Sequence, residues 1–250
     1  MLSYLQSAFF VIGAMSMSIV IVAVLNRMWP IPSRKLVNDV TGWQLGILGT
    51  TYGVILGFML FTVWNDFHEA EINTNLEASS LLTVSRIGAA LPSPERESIH
   101  ALAVKYAEAT IDKDWPAMQV QQDSLASERV AQDMWNVLAQ LKAGNSEGQS
   151  TDHLTNALKE LSERRNLRGQ EFLNRLPGIL WFLLVAGAGA TVGSACLLGN
   201  DNKWLHYWQV LGLTFVVAVT LASIADLARP FEGGVSVTPI AFERALTMMR

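Results

Sequence analysis

The chain has 250 residues, half of them hydrophobic and only 16% charged, with a net charge of -4 and one cysteine. Soluble globular chains carry nearer ~25% charged residues, so the deficit points to a membrane protein, and the lack of a basic stripe argues against nucleic acid as a partner. A lone Cys196 allows neither a disulfide framework nor a cysteine-based metal site.

Four windows contain no Asp, Glu, Lys or Arg: residues 1 to 26, 40 to 65, 176 to 200 and 204 to 225. Each exceeds the ~20 residues that a helix needs to cross hydrocarbon. Open strands would leave backbone amides unpaired in lipid, so all four windows are expected to be transmembrane helices. The first has no positive leader and no small-residue cleavage site, and its apolar run is too long for a secretory signal, so it is expected to be retained. Trp29, Trp43, Trp64, Trp181, Trp204 and Trp208, with Tyr207, fall at window ends and are expected to anchor at the interfaces.

The second window reads "TGWQLGILGTTYGVILGFMLFTVW". Gly42, Gly46, Gly49, Gly53 and Gly57 recur at helical spacing and fall within an arc of about 80 degrees at 100 degrees per residue. Such a stripe lets another helix approach closely. On the adjoining arc lie Thr50, Val54, Phe58 and Phe61. If copies of this helix surround an axis, the glycine side packs against neighbours and the adjoining side lines a narrow, mostly apolar throat.

Residues 66 to 175 form a polar insertion with few strand signals. After the second window, "NDFHEAEINTNLE" places Asp66, Glu69 and Glu77 near one helical face, read as a solvated acidic face rather than a cation site. Ser93 and Pro94 open a helix that is expected to stop at Trp115-Pro116, because the residue before proline is pushed out of helical geometry. A second helix places Val130, Met134, Val137, Leu138 and Leu141 on one face. "GNSEGQS" at 144 to 150 reads as a flexible loop. A third helix carries Leu154, Leu158 and Leu161 at helical spacing and is expected to run on into the third span.

An even number of spans puts both termini and the insertion on one side. That side carries Lys159, Arg164, Arg165, Arg168, Arg175, Arg229 and Arg244 near membrane ends, against Arg27, Arg34, Lys35 and Lys203 on the other, so it is expected to be cytoplasmic. After the fourth window comes "DLARPFEGGVSV". Pro230 cannot continue a helix and disfavours helical geometry at Arg229, so the span is expected to end there. Asp226 sits near a helix C-terminus, where the macrodipole disfavours an acid. Its expected partner is Arg229, or an arginine of "SERRNLR" from the insertion. The paired glycines, Gly233 and Gly234, permit a turn, and Thr238-Pro239 starts a short amphipathic helix.

No catalytic residues are expected. His68, His100, His153 and His206 have no metal-type spacing, and no Asp, Glu, Lys or Arg lies within the windows for a relay or protease dyad. "GAGATVG" at 187 to 193 sits inside a span without a following Lys-Ser/Thr pair, so it reads as helix packing and not as a phosphate cradle. No metal and no cofactor are expected.

"YGVILGFMLFTVW" leading into an acidic helix, "ASSLLTVSRIGAALP", "YAEATIDKDWP", "LPGILWFLLVAGA" and "DLARPFEGGVSV" together resemble the bestrophin-like family of bacterial membrane proteins, which is distantly similar to bestrophin anion channels. The pieces cover most of residues 45 to 240. The resemblance implies that Leu56, Gly57 and Phe58 match a Leu-Gly-Phe contributing to a pore neck, with Thr50 and Val54 at the other stacked neck positions but different in side chain. Asp226, Pro230 and Phe231 match an Asp and a Pro-Phe after the last span. The acidic run that follows Pro-Phe in calcium-gated bestrophins is missing, since only Glu232 precedes two glycines.

The expected fold is therefore all-α: transmembrane helices 1 and 2 in residues 1–65, a helical cytoplasmic domain in 66–175, transmembrane helices 3 and 4 in 176–228, and a C-terminal turn with a short helix in 229–250. The expected function is an oligomeric ion channel of the bacterial inner membrane, with a pentamer favoured over a tetramer, passing inorganic anions through the apolar neck. In that expectation Arg164, Arg165 and Arg168 concentrate anions at the cytoplasmic mouth, and lipid and further copies of the chain are the other partners. The alternative is a non-conducting scaffold or sensor whose helical domain binds a protein.

Overall fold

A computed structural model of the chain describes residues 4–143 and 148–250, and among these every regular element is helical. In chain order they are α1 (Tyr4–Met28), α2 (Ile31–Lys35), α3 (Asn38–Gly88), α4 (Glu95–Ala109), a π-helical turn (Thr110–Asp114), α5 (Trp115–Gln119), α6 (Ala126–Ala143), α7 (Gln149–Leu173), α8 (Gly178–Leu197), α9 (Lys203–Leu227) and α10 (Ile240–Met249). The described residues divide into two compact units, one from residues 4–65 and 175–228, the other from residues 66–143, 148–174 and 229–250.

The first unit holds α1, α2, the first half of α3, α8 and α9. Among the described residues four helices, α1, α3, α8 and α9, are long and apolar enough to cross a membrane. α1 packs along α9 and α8, which also meet each other. One cluster joins Tyr52, Leu56 and Val63 of α3 to Leu184, Val217, Leu221 and Ile224. Tyr52 donates its hydroxyl to the Leu184 carbonyl at 2.8 Å, which satisfies a polar group where lipid offers no partner. Only a residue without a side chain admits that ring: a Cβ on Gly187 would lie 2.5 Å from Tyr52 Cδ2.

The turns at 29–38 and 198–202 are tied together by polar groups. Asn38 accepts from the Gly199 amide and donates to its carbonyl, both at 2.8 Å. Arg34 is fully buried and donates to the Cys196 carbonyl at 3.4 Å and to Asn26. Cys196 lies in the last turn of α8, where exposed carbonyls carry partial negative charge, so the guanidinium sits where the helix dipole favours it. Lys35 pairs with Asp201.

The second unit has its own core, built where apolar residues recur at helical spacing: Leu81 and Val84 of α3, Ile99 and Tyr106 of α4, Met134 and Leu138 of α6, Leu154, Leu158 and Leu161 of α7. The C-terminal segment supplies Phe231, Val237, Phe242, Ala245 and Met249 to the same core. Trp115 meets Phe231 edge-on at 5.7 Å and Phe242 at 5.9 Å, and its indole donates to the Val237 carbonyl at 3.1 Å.

Three local expectations are corrected. The helix from Glu95 does not stop at Trp115-Pro116 but passes through the π-helical turn into α5. Pro116 lies in the first turn of α5, where a missing N–H is tolerated, and the inserted π turn takes up the change of register. Ser93, expected as the N-cap with Pro94 at the first helical position, is not the cap: Pro94 holds the N-cap position without a side-chain bond, and the Ser93 hydroxyl donates to Glu97 Oε1 at 3.0 Å. α7 does not continue into the third span, because residues 174–177 intervene and Pro177 excludes helical geometry at Leu176. Of the loop expected at 144 to 150, residues 144–147 lie outside the described ones.

Gly199 tests the tie between the two turns. A Cβ there would lie 2.9 Å from the Lys35 amide nitrogen and 3.0 Å from the Ile31 carbonyl, both rigid backbone atoms. Gly199→Ala is expected to cost about 1–3 kcal/mol, read as a lower thermal midpoint in detergent, whereas Gly212→Ala, with open space around its Cβ, is expected to be neutral or stabilising.

Candidate functional site

In the first unit, α3 presents different chemistry around its circumference. Tyr52, Leu56 and Val63 point into the bundle. About half a turn away at 100 degrees per residue, Thr50, Val54, Phe58 and Phe61 are exposed, with Phe58 70% and Phe61 62% accessible. The Thr50 hydroxyl donates to the Gly46 carbonyl at 2.8 Å, so it folds back on its own helix. Between these two faces lie Gly42, Gly46, Gly49, Gly53 and Gly57, where an added Cβ would meet nothing within 4 Å. Within the described chain the glycine stripe is an open groove. The Leu56-Gly57-Phe58 triplet is thereby split: Leu56 belongs to the bundle core and Phe58 faces outward.

In the second unit the dominant feature is ionic. Arg168 of α7 is 4% exposed and donates from Nε to Glu77 Oε2 at 2.8 Å and from Nη2 to Glu77 Oε1 at 3.1 Å. Glu77, on the second half of α3, has no exposed surface and also accepts from the Tyr106 hydroxyl at 2.6 Å. Ser127 accepts from Arg168 at 3.4 Å, Asp114 lies 3.6 Å away, and the guanidinium stacks over Trp115 at 5.5 Å. Burial by itself lowers the Arg168 pKa, but Glu77, Tyr106 and Asp114 outweigh it and the net direction is upward. Burial pushes the Tyr106 phenol well above its ordinary value, and the Glu77 charge adds to that. Asp114, turned inward by the π-helical turn, accepts from Ser124 at 2.6 Å and from the amides of Ala126 and Ser127, capping α6. Every charge here has its partner. The cluster is built to hold helices together, and it offers no reactive group.

These positions differ from the roles expected of the three arginines. Arg168 is buried and neutralised rather than set at a mouth, Arg165 pairs with Glu128 at 3.6 Å and Asn166 at 3.0 Å, and Arg164 donates to Asn73 at 3.3 Å. Glu77 is not part of a solvated acidic face, while Asp66 and Glu69 are exposed. Among the described residues no group of three or more His, Cys, Asp or Glu is placed to hold a metal ion.

The stretch after α9 also takes partners other than those expected. Asp226 accepts from Ser7 of α1 at 3.4 Å, and Arg229 pairs instead with Glu232 at 3.2 Å. Glu232 is buried and accepts from Gln121 as well, at 2.8 Å. α9 ends at Leu227, and the Pro230 carbonyl accepts from the Val237 amide at 2.7 Å to close a turn in which Gly233 has φ 86°, a conformation suited to glycine.

A family model for the Bestrophin-like domain matches residues 12–242. The chain belongs to the Bestrophin-like family. Its fold is that of solved relatives: a bacterial bestrophin homologue from Klebsiella pneumoniae superposes with a TM-score of 0.71 at 14% identity over 97% of each chain. A second crystal structure of the Klebsiella pneumoniae homologue gives 0.70 at 16% identity over 98% of each. A crystal structure described as a membrane protein gives 0.73 at 15% identity over 97% of each. At these identities the likeness establishes the fold. Comparison with curated proteins gives no sequence match.

Within this Bestrophin-like fold, the residues read from sequence separate into distinct groups. Thr50, Val54, Phe58 and Phe61 share one exposed face, and the five glycines share another. Arg164, Arg165 and Arg168 share a helix but bond to different partners. Tyr106, Asp114 and Trp115, which organise the second unit, were not foreseen as site residues. One signal was present: Arg168 continues the spacing of Leu154, Leu158 and Leu161 along the buried side of α7.

Removing one partner from a buried ion pair leaves the other charge stranded, so Arg168→Met is expected to cost about 3–5 kcal/mol. Arg165→Gln, which breaks a pair with a half-exposed Glu128, is expected to cost about 0–1 kcal/mol. Thermal unfolding of the two purified variants checks the contrast. Equal effects would mean that Arg168 carries no special burden.

Proposed function

We propose that copies of this chain assemble around an axis into an ion channel of the bacterial inner membrane, with α3 of each copy lining a narrow apolar throat. The observation that carries the proposal is the outward face of α3: Val54, Phe58 and Phe61 are exposed on a helix whose opposite side is the bundle core. The open glycine groove beside that face is where a neighbouring helix can approach closely. Membership of the Bestrophin-like family supports the same assignment, and five copies are favoured over four. Termini and the second unit are assigned to the cytoplasm by the lysine and arginine distribution.

A throat of Val and Phe with the Thr50 hydroxyl turned back offers little to replace an ion's hydration shell. It therefore favours ions that shed water at low cost, and it can close by dewetting. The positive edges of the Phe58 and Phe61 rings suit a large monovalent anion. Focusing at the mouth draws nothing from Arg168, whose charge is balanced by Glu77. Calcium activation is not part of the proposal, since Glu232, the one acid directly following Pro230-Phe231, is already held by Arg229 and Gln121.

Purified protein in planar bilayers under a salt gradient is expected to carry anion-selective current that Phe58→Ala alters in conductance or selectivity. Silence across voltage, pH and calcium from protein shown by cross-linking to be oligomeric would favour the rival, a non-conducting scaffold. A monomer in lipid would overturn both the channel and the axis.

A further inference from the structure

α3 and α7 are joined by a second polar contact, one turn along from the Glu77–Arg168 pair, and unlike that pair it is not neutralised. Asn73 of α3 donates to Glu171 Oε1 at 2.5 Å and accepts from Arg164 Nη1 at 3.3 Å. The other carboxylate oxygen of Glu171, Oε2, is buried and has no hydrogen-bond partner. The charged groups that face Glu171 are Glu69 and Glu77 from α3 and Arg168 from its own helix. Arg168 is committed to Glu77 through two bonds, and Arg164 spends its donor on Asn73 while its Nε stays buried without a partner. An ionised Glu171 therefore places a buried, undonated oxygen next to two other acids. It also stands in the last turn of α7, where the helix dipole disfavours a negative charge.

We propose that Glu171 is the titrating element of a proton-sensitive latch between α7 and α3, held when the carboxyl is protonated and loosened when ionisation leaves a charged, undonated Oε2 buried beside Glu69 and Glu77, a cost that the Asn73 hydrogen bond offsets only in part. Burial pushes the Glu171 pKa above its ordinary value and the Glu69 and Glu77 charges add to this, against the Asn73 hydrogen bond and Arg168, which lower it. The sign follows from linkage. A carboxyl raised on folding contributes stability that is fully present below its unfolded value and is lost as pH rises through its folded value. Residues 174–177 follow directly and lead into α8, so the latch governs how firmly the end of α7 is held.

The test uses the full chain in detergent and does not depend on conduction, so its outcome is separate from that of the channel proposal. Glu171→Gln mimics the protonated carboxyl. Its thermal midpoint is expected to coincide with that of the natural protein near pH 4 and to exceed it by about 2–4 °C at pH 8. Hydrogen exchange in residues 69–77 and 168–173, corrected for the intrinsic rate, should accelerate with pH in the natural protein and not in Glu171→Gln. Asn73→Asp, which sets a further acid against Glu171, is expected to steepen the loss of stability with pH, and it keeps the latch testable if Glu171→Gln does not fold. A Glu171→Gln offset that is the same at every pH, or a pH dependence abolished by EDTA, would overturn the latch, the latter by replacing the proton with a metal ion.

Discussion

The guanidinium of Arg168 can be buried only because Glu77 is there to receive it. The two residues are 91 positions apart, one on the second half of α3 and one on α7, and each would be intolerable in its site alone. Once they meet, the neighbouring groups fall into place. Tyr106 shares the Glu77 Oε1 acceptor with Arg168, the guanidinium lies over the Trp115 ring, and Asp114 stands near enough to add charge while it caps α6. A buried pair of this kind gains little net stability over an apolar core of the same shape, because desolvation consumes most of the attraction. What it supplies is discrimination: any other register of α7 on α3 strands both charges.

The membrane unit obeys a different constraint. There water is absent, and a polar group gains most from a partner within the bundle. Tyr52 does so through a carbonyl of α8, at a distance that Gly187 alone permits. At the turn end, Arg34 and Asn38 occupy the carbonyls and amide that the termination of α8 leaves open. The five glycines in the first half of α3 are of another sort. An added Cβ at any of them would meet nothing within 4 Å among the described residues, so they are not explained by the packing of this bundle, and that openness is what supports the proposed approach of another helix.

Much of the fold was legible in the sequence because one-dimensional signals were enough for it. Charge-free windows of adequate length predicted the four apolar helices, and the apolar spacing of α6 and α7 predicted their buried faces. Proline was a less reliable guide. Pro177 marks a break where the helix was expected to run on into the third span, while Pro116, where a stop was expected, was absorbed because a π-helical turn preceded it, a local backbone choice that residue order does not disclose. The ionic core was legible least of all. An arginine in a polar segment reads as a surface charge because desolvation is so unfavourable, and only a distant carboxylate reverses that inference. The same holds for Glu232 and Asp226, each of which bonds to a residue the neighbouring sequence does not point to.

Phe231, Val237, Phe242, Ala245 and Met249 complete a core whose other buried members lie more than sixty residues earlier in the chain, before the last two apolar helices have been made. During synthesis the helices between Asp66 and Asn174 leave the ribosome with Trp115 still lacking its aromatic neighbours. That unit must wait, incompletely sealed, until α8 and α9 have been delivered to the bilayer and the final twenty-odd residues emerge. Until Phe231 and Phe242 arrive, that unit carries an open apolar seam beside Trp115.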